Sequence, residues 1–207
     1  MKEKGKVFIV SAPSGSGKST LVAELLKRLP DLVFSVSYTT REPRGKEKDG
    51  VEYFFVSDET FKKMIEEEQF VEYAKVFDQY YGTARRFVEQ VLAEGKDLLL
   101  DIDTEGASQV KEKLPDAVSI FIMPPSFEAL QTRLEKRRLD SDETILKRLR
   151  WASQVEIHRF SSYDYVIINE DLAASIDRLR CIICAERCRR ERMTQRIESI
   201  IKNFGGV

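Results

Sequence analysis

An apolar run, Val7-Phe8-Ile9-Val10, leads into Ala12-Pro13-Ser14-Gly15-Ser16-Gly17-Lys18-Ser19, and a helical pattern (Leu21, Val22, Leu25, Leu26, Leu29) leads out. No other stretch constrains the fold as tightly. A short buried strand that feeds a glycine-rich turn and then a helix is the opening unit of a parallel α/β architecture. The glycines let the backbone curl until successive N–H groups point inward at a phosphate. The helix behind them adds its positive end. Lys18 is long enough to reach β- and γ-phosphates, and the Ser19 hydroxyl suits Mg²⁺. The strict pattern of such loops opens on Gly where this chain has Ala12, a replacement that fits if φ is negative there. The segment from Ala12 to Thr20 is therefore expected to bind a nucleoside triphosphate, with Lys18 facing solvent and phosphate rather than the core.

Downstream, strands and helices alternate. The pattern predicts a helix from about Lys18 to Leu29, an extended piece over Val33–Ser37, a polar loop over Thr39–Gly50 and a strand over Tyr53–Val56. Ser57 begins a helix to about Glu68, since a hydroxyl there can accept from the N–H three residues on. Phe70–Phe77 alternates as a strand does, and Ala84–Glu94 is helical up to Gly95. Continuous apolar strands are expected at Leu98–Asp103, Val118–Met123 and Tyr165–Ile168, and helices at Glu105–Leu114, Ser126–Arg138, Asp142 to about Arg159, and from Leu172 past Arg190. Such strands separated by helices imply a parallel sheet covered on both faces, whose ligands bind beyond the carboxyl ends. Asp101 and Asp103 fall at one such end. The segment from Ser37 to Gly82 breaks the alternation and reads as an inserted antiparallel unit.

With 33% charged residues but a formal net charge of −1, nothing draws the whole molecule to nucleic acid or to a membrane, so any anion site has to be a local arginine cluster. The opening Met1–Lys6 runs into only four apolar residues, too few for a signal peptide or a span, which makes a reducing cytoplasm the expected setting. Cys181, Cys184 and Cys188 share one helical face and Trp151 is apolar; all four are expected to pack in the core rather than to bind metal. The basic stretch Arg187–Arg196 reads as a solvated face.

The inserted unit carries the second substrate. Arg41 and Arg44 stand three apart in a turn, and two guanidinium groups converging on one spot suit a phosphate monoester. Tyr53 and Tyr81 offer hydroxyls beside them. The run Thr40-Arg41-x-x-Arg44-x-x-Glu47-x-x-Gly50-x-x-Tyr53-x-Phe55-Val56 matches the signature of guanylate kinases at every specified position, and the resemblance extends through Asp101-Ile102-Asp103 to Val166-Ile167-Ile168-Asn169. It implies a P-loop core with a parallel β-sheet flanked by helices (residues 1–36, 84–132 and 151–207), a small α+β GMP-binding insert (37–83) and a helical lid (133–150). It also implies transfer of the γ-phosphoryl group of ATP to GMP and dGMP, with Mg²⁺ as cofactor and no nucleic acid, membrane or obligate protein partner.

By the same resemblance Arg41, Arg44, Tyr53 and Tyr81 hold the GMP phosphate, while Ser37, Glu72, Thr83 and Asp103 face the guanine. The chemistry agrees: a carboxylate at Glu72 suits the N1–H and amino donors of guanine, and hydroxyls at Ser37 and Thr83 suit its O6. Adenine reverses those edges and would leave buried partners unpaired. Arg133, Arg137, Arg148 and Asn169 are implied on the ATP side. Lys18, Arg41, Arg137 and Arg148 are implied to stabilise the transferring group, and Ser19 and Asp101 to hold the metal. No catalytic base is required, because the attacking oxygen belongs to a phosphate that is mostly dianionic at pH 7, its second pKa being about 6. Two departures stand out: Glu105 where the family commonly has Gln, and Arg138 where it usually has Gly. Two other readings remain open at this point. One is a silent guanylate-kinase-like module that binds phosphorylated or acidic protein segments, disfavoured by the intact loop. The other is a kinase of phosphorylated sugars, disfavoured by Ser37, Glu72 and Thr83.

Overall fold

A computed structural model describes residues 5–76, 78–137 and 141–204. Its larger sheet is wholly parallel and five-stranded. The central strand β1 (Val7–Ser11) lies between β7 (Leu98–Asp101) and β8 (Val118–Met123), with β2 (Val33–Phe34) outside β7 and β9 (Tyr165–Ile168) outside β8. Because the chain departs to opposite sides of β1, a crevice opens at the carboxyl end of that strand, and the glycine-rich loop is what fills it.

The period-two geometry of β1 divides the core. Phe8 and Val10 face one side, against Leu21 and Leu25 of α1 (Lys18–Arg28) and Leu179 and Ile183 of α7 (Leu172–Arg187). Val7 and Ile9 face the other, against Val88, Val91 and Leu92 of α3 (Arg85–Ala93) and Val110 of α4 (Thr104–Lys113). With both faces covered, every strand residue can be apolar, and Phe8, Ile9, Leu99, Leu100, Ile120 and Ile122 are completely buried. A separate small cluster, Leu130, Leu134, Ile145, Leu149 and Ala152, joins α5 (Phe127–Arg137) to α6 (Asp142–Trp151).

The second sheet runs β4 (Tyr53–Phe55), β3 (Ser37–Thr39), β6 (Gln79–Ala84), β5 (Phe70–Val76). Its β3–β6 and β5–β6 pairs are antiparallel and its β3–β4 pair is parallel. Beneath it α2 (Asp58–Glu66) starts from Ser57, whose Oγ accepts the Thr60 N–H, and contributes Phe61 to a stack with Phe70 and Tyr80. Gln109 of α4 ties this sheet to the rest by exchanging two hydrogen bonds with the backbone of Tyr73.

Five expectations are corrected. The helix predicted from Asp142 to Arg159 ends at Trp151 and continues as a π-helical turn (Ala152–Glu156) and a 3₁₀ turn (Ile157–Ser162). Trp151 is about half exposed rather than a core residue. Of the three cysteines, Cys181 and Cys188 are exposed and Cys184, partly buried, packs against the core. The basic stretch is only partly a solvated face: Arg187 and Arg192 both pair with the buried Asp97, pinning α7 and α8 (Arg190–Phe204) to the sheet. The long final helix is accordingly two, broken at Cys188. Among the described residues no helix is long and apolar enough to cross a membrane.

Candidate functional site

One large cavity, about 1210 Å³, opens over the carboxyl end of the parallel sheet and runs across to the second sheet. The phosphate loop from Ala12 to Ser19 forms one wall. Gly15 and Gly17 adopt φ of 93° and 90° while Ala12 does not have positive φ, so alanine costs the loop nothing where glycine opens the strict pattern. A Cβ on Gly15 would run into Leu134 of α5, and one on Gly17 into the Asn169 amide. Glycine is thus required twice, by conformation and by close approach. No side chain caps the first turn of α1 and none of its residues is acidic, which leaves the leading N–H groups for an anion. Thr20 lies one residue beyond the wall and is exposed.

Lys18 does not stand out in solvent. Its ammonium pairs with the Asp101 carboxylate and donates to the Ile102 carbonyl at 3.0 Å. The carboxylate at the end of β7 thus holds the lysine beside the phosphate loop. Lys18 therefore faces the cavity rather than the core, though its ion pair leaves it only partly exposed. Ser19 lines the cavity as Asp101 does. A hydroxyl and a carboxylate are hard oxygen donors that fit a magnesium ion arriving with its own phosphates and water.

Behind the loop, Arg133 donates to the carbonyls of Ser16 (2.9 Å) and Asn169 (3.0 Å), and the Asn169 amide donates to the same Ser16 carbonyl at 2.8 Å. In this structure these two residues brace the loop and are not on the cavity wall. Arg148 does line it, and its Nη1 donates to Ser14 Oγ at 3.1 Å. Arg138 and the side chain of Arg137 lie outside the described residues.

The opposite wall comes from the second sheet and the loop between β3 and β4. Arg41 is 9% exposed, and its Nη2 donates to both oxygens of Glu47, at 3.0 and 2.9 Å. Nη1 reaches the Glu42 carbonyl, and the guanidinium carbon lies 5.4 Å from the centre of the Tyr53 ring. Glu47 also accepts the Arg44 N–H, so one carboxylate shapes the whole two-arginine turn. Tyr53 and Tyr81 meet edge to face, and burial, with the Asp101 charge assisting, pushes the Tyr53 hydroxyl up to about 12. Arg44, Tyr53, Tyr81 and Ser37 all line the cavity.

Glu72 sits at its floor, 2% exposed. Its Oε1 accepts from the Thr83 hydroxyl at 2.5 Å. Thr83 therefore stands behind the carboxylate and spends its proton there. Burial pushes the Glu72 carboxyl up to about 7, the Asp103 charge adds to the rise, and Thr83 and Lys113 oppose it. Asp103 lines the cavity and also caps α4 by accepting the Gly106 N–H at 2.7 Å. Glu105, next along, is exposed in the first turn of α4, where the helix dipole favours a negative charge. Sequence motifs miss Thr144, Lys147 and Glu156 on one side of the wall and Asp58, Ala74, Val76, Asp78 and Gln79 on the other. Glu156 does carry a signal, since Leu149, Ala152 and Glu156 follow the spacing of one buried helical face.

The comparisons with known proteins agree with this geometry. The family model described as guanylate kinase matches residues 4–186. A guanylate kinase of Koribacter versatilis is 53% identical over 189 residues, covering 90% of this chain and 81% of the relative. One from Escherichia coli K12 is 49% identical over 203 residues, covering 97% and 98%. Among solved structures, a guanylate kinase from Anaplasma phagocytophilum superimposes with a TM-score of 0.76 at 36% identity, covering 95% of this chain and 97% of its own.

Proposed function

The chain belongs to the guanylate kinase family, an ATP-dependent kinase of GMP, and on that premise we propose how its own residues divide the work and that dGMP is a second acceptor. The observation that carries the proposal is the single cavity joining a phosphate loop to a two-arginine, two-tyrosine wall with a buried carboxylate at its floor. Two polyanions fit such a space only if each meets its own cations.

ATP phosphates belong on the N–H groups of residues 15–19 and on Lys18. Asp101 and Ser19 would hold the Mg²⁺ that accompanies ATP, and the ion would supply charge neutralisation of the phosphates. Arg148 is placed to follow the transferring group from the Ser14 side. Arg41, held rigid by Glu47 and stacked on Tyr53, presents a fixed fork to the GMP phosphate with Arg44, Tyr53 and Tyr81. At the floor, ionised Glu72 accepts from guanine N1–H and the amino group, with Ser37 and Asp103 beside it. The attacking phosphate oxygen needs no base, so the protein's contribution is alignment and charge shielding. The 2′-hydroxyl has no evident reader, which is why dGMP is included.

A coupled ADP-release assay across the nucleoside monophosphates tests this. GMP and dGMP should turn over and AMP, CMP and UMP barely. Comparable rates with AMP and GMP would remove the role given to Glu72.

A further inference from the structure

Two side chains converge on one backbone atom of the phosphate loop, the carbonyl oxygen of Ser16. Arg133 of α5 donates to it from Nη1 at 2.9 Å, and the Asn169 amide donates to it at 2.8 Å. The two donors are themselves joined, because Arg133 Nη2 donates to the Asn169 carbonyl at 3.0 Å. Asn169 is 3% exposed, and its own N–H is held by the Met123 carbonyl at the end of β8. The fit is close: a Cβ on Gly17 would lie 2.8 Å from the Asn169 amide nitrogen, and one on Gly15 would lie 2.8 Å from Cγ of Leu134, the residue after Arg133. Neither Arg133 nor Asn169 lines the cavity, so both pull on the Ser16 oxygen from its far side.

A trans peptide is planar, with its C=O and N–H pointing in opposite directions. Holding the Ser16 oxygen away from the cavity therefore turns the Gly17 N–H toward it. Gly17 caps α1 with a left-handed φ of 90°, and glycine leaves the plane of that peptide free to turn unless something outside fixes it. A guanidinium on the oxygen also polarises the peptide and makes the opposite N–H a stronger donor. We propose that Arg133 and Asn169 are positioning residues for the nucleoside triphosphate. They act through the Ser16–Gly17 peptide, whose N–H they aim at a phosphate oxygen, and not through the base. The proposal rests on the reading of the loop as the ATP phosphate site. An arginine that gripped phosphate itself would present its fork to the cavity, whereas both terminal nitrogens of Arg133 donate to carbonyls behind the loop.

Steady-state kinetics of the full chain test this with R133A, R133K and N169A, varying ATP and GMP separately. Inorganic tripolyphosphate, which carries no base, is run as a competitor of ATP. R133A should raise the KM for ATP about tenfold, the worth of one hydrogen bond from a charged group, and N169A, which removes a neutral donor, about fivefold. Each should raise the inhibition constant of tripolyphosphate by the same factor and leave the KM for GMP within about twofold. R133K, which still donates to the carbonyl, should return to within about threefold of the parent. Should the buried N169A fail to fold, the two Arg133 variants decide alone. An unchanged ATP KM in R133A, a parallel rise in both KM values, or an R133K no better than R133A would each overturn the proposal. So would a tripolyphosphate constant that stays put while the KM for ATP rises, since that result moves the pair to the base. A parent enzyme that tripolyphosphate does not inhibit would instead bring down the reading of the loop beneath it.

Discussion

Replacing Gly106 by alanine separates helix stability from substrate recognition. Gly106 is the third residue of α4, with ordinary helical backbone, and its N–H goes to Asp103. On helix propensity alone, Gly106→Ala stabilises by roughly 0.5–1 kcal/mol. The added Cβ, however, would lie 2.5 Å from Glu72 Oε2, short of ordinary contact at 3.4 Å by 0.9 Å, and 3.3 Å from Asp103 Oδ1. Glu72 can give way only toward the cavity, because it is 2% exposed and its other oxygen is fixed by Thr83. The carboxylate must give up either that bond or its alignment toward the guanine, a loss of about 1.5–3 kcal/mol for a bond to a charged group. The KM for GMP should accordingly rise about 10- to 150-fold. The KM for ATP should hold, and the ligand-free protein should change by less than about 1 kcal/mol, because helix gain offsets local strain. Coupled kinetics with each substrate varied, alongside thermal melts, read all three. A GMP KM within about twofold of the parent would refute the placing of Glu72 as the base-reading carboxylate.

Two further outcomes concern groups whose surroundings are now known. Burial first, then the nearby Asp103 charge, lifts the Glu72 carboxyl to about 7 from the ordinary 4.5, with Thr83 and Lys113 opposing. The folded state therefore binds the extra proton between those values, and this stabilising contribution is complete below about 4.5 and lost as pH rises through 7. Glu72→Gln removes it, so melts of variant and parent should diverge in the variant's favour from pH 5 to pH 8; a pH-independent difference would contradict the sign. Lys18→Met should lower kcat by at least about 10³. It should also lower ligand-free stability by about 1 kcal/mol, because it strips Asp101 of its partner; an unchanged melting temperature would show the pair to be energetically idle.

Local features were legible and long-range ones were not. The strand, loop and helix around Ser14–Lys18 could be read because each part is specified by its own residues, and β8 and β9 coincide with the apolar runs that predict them. The strand Gln79–Ala84 has no such run. It exists because Tyr81 and Thr83 find partners in β3 and β5 about forty and ten residues away, which periodicity cannot reveal. The π turn was hidden for a related reason: Ala152–Glu156 has the spacing of an ordinary helix. Trp151 misleads because a large apolar side chain suggests a core position, although surfaces carry many such groups. The site divides in the same way. Which residues gather could be inferred from motif spacing, but what each touches in the free protein could not, because Lys18 and Thr83 turn to acidic neighbours brought close only by the fold.

Those neighbours explain how a chain of net charge −1 presents a site for two polyanions. Its cations are kept partnered: Lys18 with Asp101, Arg41 with Glu47, Arg133 with the loop carbonyls. The pairs are not equivalent. Lysine is a compact point charge on a flexible stem, whereas the planar guanidinium of Arg41 is fixed by Glu47 at Nη2 and by the Glu42 carbonyl at Nη1. On the proposed assignment Lys18 would exchange Asp101 for a phosphate of ATP. Arg41 gains by keeping Glu47, since that carboxylate also accepts the Arg44 N–H and releasing it would unmake the turn that aims both guanidinium groups. On the same proposed assignment the donor side of the cavity exchanges partners and the acceptor side holds still. That division suits a reaction in which the mobile phosphoryl group must be delivered to a phosphate already held in place.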